Sequence, residues 1–138
     1  MQPGTTATES CDADAARARA DLGVRKFVGS SIHTLNEAQA LDPSVVDYAI
    51  AGPAYASASK PGYGPAAGGT GLRALATAAS VPIIAVGGIE PHLVADVTAS
   101  GAAAIAVMGG VMRAREPRAQ VAALLRALAD AKIHPRGR

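Results

Sequence analysis

The stretch "VPIIAVGGIEPHL", residues 81–93, restricts the possible folds more than any other part of the chain. Its apolar residues run consecutively instead of alternating, the pattern of a strand whose two faces are both covered by helices. Paired glycines close the run, and Pro91 then opens a helical stretch that Gly101 ends. The same cadence recurs. "RKFVGSS" reads as a short strand feeding a small-residue loop, "VVDYAIAG" as a second strand and "AAAIAVMGG" as a fourth. Helical stretches separate them. In "TLNEAQALD", Thr34 can cap, Glu37 stands three residues on and Pro43 closes the run. "GLRALATAAS" places Leu72, Leu75 and Ala79 on one side, and "EPRAQVAALLRALADAK" has Pro117 near its first turn. Upstream, "CDADAARARADLG" reads as a helix stopped by Gly23.

Four strand-to-helix units with starts about 20 to 36 residues apart fit βαβ repeats, so the fold class is α/β with a parallel sheet and right-handed crossovers. Glycines are expected just beyond the C-terminal ends of all four strands: Gly29, Gly52, Gly87 with Gly88, and Gly109 with Gly110. That edge carries ligands in parallel α/β folds. No strand is followed by "GxGxxG" or by a "GKS" or "GKT" phosphate loop, which argues against a Rossmann or P-loop site.

Composition narrows the function classes. In 138 residues, 49% hydrophobic content supplies one core, and the 3% aromatic content means that small side chains build it. A net charge of +2, without a Lys/Arg stripe interleaved with aromatics, points away from nucleic acid. Cys11 has no second cysteine to pair with, and no Cys/His spacing suggests zinc, so a reducing cytoplasm is expected. The first residues contain acids and no apolar run, so neither a secretory signal nor a membrane anchor is expected.

Two glycine turns and one histidine carry candidate chemistry. Backbone without Cβ at Gly87–Gly88 and Gly109–Gly110 can approach a phosphate closely and offer N–H groups to its oxygens; the same glycines also fit tight turns with nothing bound. His33, just past the first strand, can relay a proton near neutral pH or serve only as a donor within its turn. His92 and His134 are weaker candidates, and Asp42, Asp47 and Asp96 are too scattered for a dedicated metal site.

The segments "FVGSSIHTLNEAQA", "DYAIAGPAYASASKPGYGP", "GLRALA", "VPIIAVGGI" and "GAAAIAVMGGVMRAREPRAQ" occur in an order and spacing that resemble the thiamine phosphate synthase and thiazole tautomerase superfamily, over roughly residues 22 to 123. The resemblance implies a (β/α)8 TIM barrel with ligands at the C-terminal strand ends. The four units here correspond to the last four of that barrel, as a half-barrel or an open parallel sheet. It also divides the chain into a variable N-terminal segment with a helix (1–21), the βα domain (22–130) and a basic tail (131–138).

Activity and site residues follow from the resemblance in the same way. The synthase joins hydroxymethylpyrimidine diphosphate to thiazole phosphate with Mg²⁺ assisting departure of pyrophosphate; the tautomerase isomerises a thiazole carboxylate phosphate. Ser30 or Ser31, with Ser31 better placed, falls near the family's pyrimidine-side serine, and His33 matches the histidine to which the tautomerase assigns proton transfer. Ser57 and Ser59 occupy the threonine positions of a "T-x-T-K" loop, and Lys60 occupies its lysine. Both replacements keep a hydroxyl for pyrophosphate oxygens. Gly87 and Gly88 match the phosphate-binding "GGI". Met108 and Gly109 match the last-strand positions whose N–H groups hold the thiazole phosphate, with Gly109 replacing a serine. His33 and Lys60 are thus the catalytic candidates, and Ser31, Ser57, Ser59, Gly87, Gly88, Met108 and Gly109 the substrate-binding ones. Nothing matches the barrel half that carries the Mg²⁺ carboxylates; Asp12, Asp14 and Asp21 correspond to none of them, so no metal ligand is expected here. Four units alone leave open strand edges. A homodimer or a half-barrel partner, an open sandwich or a marginally stable truncated binder of phosphate ligands are the outcomes consistent with that.

Overall fold

A computed structural model describes residues 7–58 and 64–133. The order of elements is α1 (Ala7–Leu22), β1 (Gly29–Ile32), α2 (Leu35–Ala40), β2 (Tyr48–Ala51), α3 (Gly68–Ala78), β3 (Ile83–Val86), a 3-10 turn (Pro91–Leu93) running into α4 (Val94–Ala99), β4 (Ala104–Ala106), α5 (Gly109–Met112) and α6 (Pro117–Ile133). The strands form one parallel sheet in the order β1-β2-β3-β4. In that sheet Ser31 pairs with Ile50, Ile50 with Ile84 and Ile84 with Ala104.

This register divides the strand residues into two faces. Ile32, Ala49, Ala51, Ile83 and Ala85 are buried, and with Leu72, Leu75, Val94, Val97 and Leu124 they form the core beneath a row of helices. The row runs α2, α3, α4, α6, each packed on the next. Ser31, Tyr48, Ile50, Ile84, Val86, Ala104 and Ala106 lie on the other face, and none of them is buried. The double coverage expected from consecutive apolar residues is therefore corrected: helices cover one face only. Ile84 and Val86 are only partly buried on that second face, and the apolar run alone does not distinguish it from a face beneath a helix layer.

Local chemistry explains the element ends. The Thr34 hydroxyl accepts from the Glu37 amide at 3.2 Å, and the Glu37 carboxylate accepts from the Thr34 amide at 2.9 Å and the His33 amide at 2.6 Å. This reciprocal cap starts α2 immediately after β1 and holds His33 at the strand end. Burial alone would raise the Glu37 carboxyl, but these amides and the hydroxyl outweigh it and hold the group below its usual range. At the opposite end of the strands, Arg19 ties α1 to the sheet. Its guanidinium donates to the Val45 carbonyl at 2.9 Å and the Asp47 carboxylate at 2.6 Å, and Asp47 also accepts from the Val28 amide at 2.7 Å. The Val28 amide and then Arg19 hold the Asp47 carboxyl below the usual carboxylate range.

The first strand lies further along the chain than "RKFVGSS" suggests. Gly29 opens β1 instead of following it, so Gly29 is not at the ligand edge. Its missing Cβ has a packing reason, because a side chain there would collide with the Tyr48 ring. Phe27, which the sequence placed in the strand, is 84% exposed. Ser30 and Ser31 are strand residues, and "PHL" forms a 3-10 turn before α4 begins.

Candidate functional site

An open cleft of about 1000 Å³ lies at the C-terminal ends of the four strands. Ser31, His33, Ser57, Gly87, Gly88, Met108 and Gly109 all line it. Residues separated by as many as 78 positions thus meet in one place because successive parallel strands deliver their C-terminal ends to the same edge. Ser59 and Lys60 lie outside the described residues. Of the two serines in β1, Ser31 lines the cleft, whereas Ser30 pairs with buried Ala49 on the helix-covered side.

His33 has a defined ring orientation. Its Nδ1 lies 2.6 Å from the Gly52 carbonyl oxygen. A carbonyl only accepts, so Nδ1 carries the proton in this contact. Strand β2 supplies that carbonyl at its own end, so the orientation of the histidine depends on the pairing of β1 with β2.

The glycine turn after β3 is built by close backbone contact. Gly87 has φ +104° and Gly88 φ +62°, and a Cβ on Gly88 would stand 2.7 Å from the Tyr55 carbonyl oxygen. The 53–56 segment is bound to β3 and its turn by Ala54 donating to the Val86 carbonyl at 2.8 Å and Tyr55 to the Gly87 carbonyl at 3.0 Å. Among the described residues, none of these inter-loop backbone bonds uses the N–H groups of Gly87, Gly88, Gly109 or Gly110. Backbone N–H groups at such turns are of the kind that can hydrogen-bond an anion.

Sequence reasoning missed Glu90, Arg113 and Tyr55, which also line the cleft. Glu90 directly follows the "GGI" motif, and Arg113 follows the last glycine pair by one helical turn, so proximity to the motifs was the available signal. The Tyr55 hydroxyl is buried without a hydrogen-bond partner among the described residues. Burial, and secondarily the charge of Asp96, push it above the ordinary phenol range. No cluster of three His, Cys, Asp or Glu side chains able to hold a metal occurs among the described residues. The described residues do not fit a Mg²⁺ site. No described helix is long and apolar enough to cross a membrane.

A parallel βα sheet with a cleft at its C-terminal strand ends places the chain among α/β proteins of the barrel type. Comparison with known proteins makes this specific: the family model described as thiamine monophosphate synthase matches residues 9–111, and the chain belongs to that family. The thiamine-phosphate synthase of Moorella thermoacetica is 37% identical over 127 residues, covering 92% of this chain and 59% of the relative. That of Chloroflexus aurantiacus is 40% identical over 117 residues, covering 85% and 53%. Thiamine phosphate pyrophosphorylase from Pyrococcus furiosus superposes with a TM-score of 0.71 at 25% identity, covering 85% of this chain and 55% of that one. The BexX/CysO complex of Amycolatopsis orientalis gives a TM-score of 0.73 at 23% identity, a likeness of fold alone. The chain spans about half the length of the curated synthases it matches.

Proposed function

We propose that this chain carries the thiazole-phosphate side of a thiamine phosphate synthase, the enzyme that joins hydroxymethylpyrimidine diphosphate to thiazole phosphate and releases pyrophosphate. The observation that carries the reading is the meeting of Ser31, His33, Ser57, Gly87, Gly88, Met108 and Gly109 in one cleft. In this reading the Gly87–Gly88 and Met108–Gly109 backbones receive the thiazole phosphate through N–H groups, while Ser31 faces the pyrimidine. Ser57, with Ser59 and Lys60 of the same loop, faces the diphosphate; Lys60 supplies positive charge as the carbon–oxygen bond to pyrophosphate breaks.

Mg²⁺ supplies leaving-group charge neutralisation in the synthase reaction, and no cluster of His, Cys, Asp or Glu among the described residues fits it; in this reading its ligands come from the other half of the barrel. Four further βα units, from a second copy or from a chain carrying the other barrel half, would pair the outer edges of β1 and β4 and cover the open sheet face. The required assay follows thiamine phosphate and pyrophosphate from the two substrates and Mg²⁺, with this chain alone and with a chain supplying the first four units. Turnover only in the mixture is expected; turnover by the isolated chain as a monomer would overturn the division of labour.

A tautomerase-like isomerase is the second reading, favoured by the His33 geometry. Nδ1 donating to the Gly52 carbonyl fixes the imidazole at the strand end, where a histidine can move a proton on a thiazole carboxylate phosphate without a metal. His33→Ala should then abolish isomerisation while phosphate binding stays within about twofold. Unchanged isomerisation would remove this role.

A further inference from the structure

In the phosphate reading of the cleft, two glycine turns meet one ligand, yet strand pairing does not fix the distance between them. Strands β3 and β4 stop pairing at Val86 and Ala106. Beyond that point no backbone hydrogen bond among the described residues joins 87–90 to 107–110. A side-chain contact spans the gap instead. Gln120 Nε2, near the start of α6, donates to Glu90 Oε2 at 2.8 Å. A Cβ on Gly110 would stand 2.9 Å from Glu90 Oε1 and 3.7 Å from Gln120 Nε2, so the pair bears directly on the second turn. Gly110 does not have a positive φ, so this contact, not the backbone conformation, is what a side chain there would disturb. Both partners stand on anchored backbone. Buried Ile89 precedes Glu90, whose carbonyl accepts from the Leu93 amide at 2.9 Å. Gln120 lies one helical turn before Leu124, which is buried in the core.

We propose that Glu90 and Gln120 are positioning residues that hold the turn after β4 at the spacing from the turn after β3 that a phosphate bound by both requires. A phosphate held by N–H groups of two separate loops binds tightly only when both sets already stand at hydrogen-bond distance; a spacing that must be restored on binding costs affinity. The helix that follows the second turn, α5, has only four residues, too few to fix that turn by itself. Gln120 is not among the described residues that line the cleft, so its effect on a ligand runs through Glu90 and Gly110. Hydrogen bonding and contact carry the role, and an amide at position 90 can accept from Gln120 as a carboxylate does. The inference rests on the phosphate reading of the cleft, and the test separates the two.

Thiazole phosphate is titrated into the full chain and its variants, with affinity read by calorimetry and stability by urea unfolding. Gln120→Ala leaves every described cleft-lining side chain in place and should weaken thiazole phosphate binding about fivefold, within the range measured for coupled neighbours. In a Glu90→Ala background the same change should alter affinity by less than about 1.5-fold, because the partner is already gone. In a Glu90→Gln background it should again cost at least about twofold, since the amide oxygen keeps the acceptor; with no charge at position 90, this arm isolates positioning from electrostatics. A contact that only holds α6 in place would lower the urea midpoint of Gln120→Ala and leave the affinity of the folded chain unchanged, which overturns the proposal while the phosphate reading stands. An equal loss from Gln120→Ala in the wild-type and Glu90→Ala backgrounds overturns it in the same way. No thiazole phosphate binding by the cooperatively folded wild-type chain removes the phosphate reading and the positioning role together.

Discussion

Replacing Gly88 by alanine tests whether the turn after β3 is held by close backbone approach. Gly88 has φ +62°, and an added Cβ would collide with the Ala56 carbonyl oxygen and stand 2.7 Å and 2.8 Å from the carbonyl oxygen and carbon of Tyr55. All three are backbone atoms, so no rotamer change relieves the contact. The left-handed conformation costs an L-residue about 1–2 kcal/mol. Overpacking adds about 1–3 kcal/mol, for a total loss of about 2–5 kcal/mol. Gly23 provides an internal comparison, because it has φ +70° but no atom within 4 Å of an added Cβ. Gly23→Ala should lose only the conformational part, about 1–2 kcal/mol. Urea unfolding of both variants measures the difference directly, and m-values should stay constant if only the native state is strained. Equal losses for the two would refute the claim that the 53–56 segment is pressed against this turn.

Other consequences can be read from the same contacts. Thr34→Ala removes the capping hydroxyl of α2 and should lower unfolding free energy by about 1 kcal/mol in urea; Thr34→Ser should restore most of it. The folded-state carboxyls of Glu37 and Asp47 are depressed, so each contributes stability that is present above its unfolded pKa, near 4, and is lost as pH falls through the lower folded value. Urea midpoints should therefore drop as pH falls below about 4, and Asp47→Asn should flatten that drop while lowering the midpoint at pH 7. In the complemented synthase assay, Lys60→Ala should reduce kcat by at least about tenfold, whereas Lys60→Arg should retain part of the rate; equal rates for wild type and Lys60→Ala would remove its proposed role.

Much of this arrangement was legible where local signals and global fold agree. The run "VPIIAVGG" marks β3 and its turn because a buried strand and a glycine-dependent bend are both written in adjacent residues. Thr34 and Glu37 announce α2 because the capping box is a four-residue motif. The strand-end residues converge as expected because parallel topology alone brings them together. Position within the first strand was not legible: Phe27 and Val28 look alike as strand formers, yet Val28 is buried and Phe27 exposed, a difference that depends on tertiary packing. One-sided helix coverage was hidden for a related reason, since Ile84 and Val86 would read the same beneath a helix. The Glu90–Gln120 contact had no local signature at all, being set by how α6 docks beside the turn after β3.

The central claim is that the two glycine turns form one receiving surface for a phosphorylated thiazole. Titrating thiazole phosphate into isotopically labelled chain and following backbone amide resonances tests it most directly. The account predicts saturable, concerted shifts of the Gly87, Gly88, Gly109 and Gly110 amides, with Gly23 and Gly101 unmoved. Saturable binding that leaves those four amides in place and shifts others would contradict it.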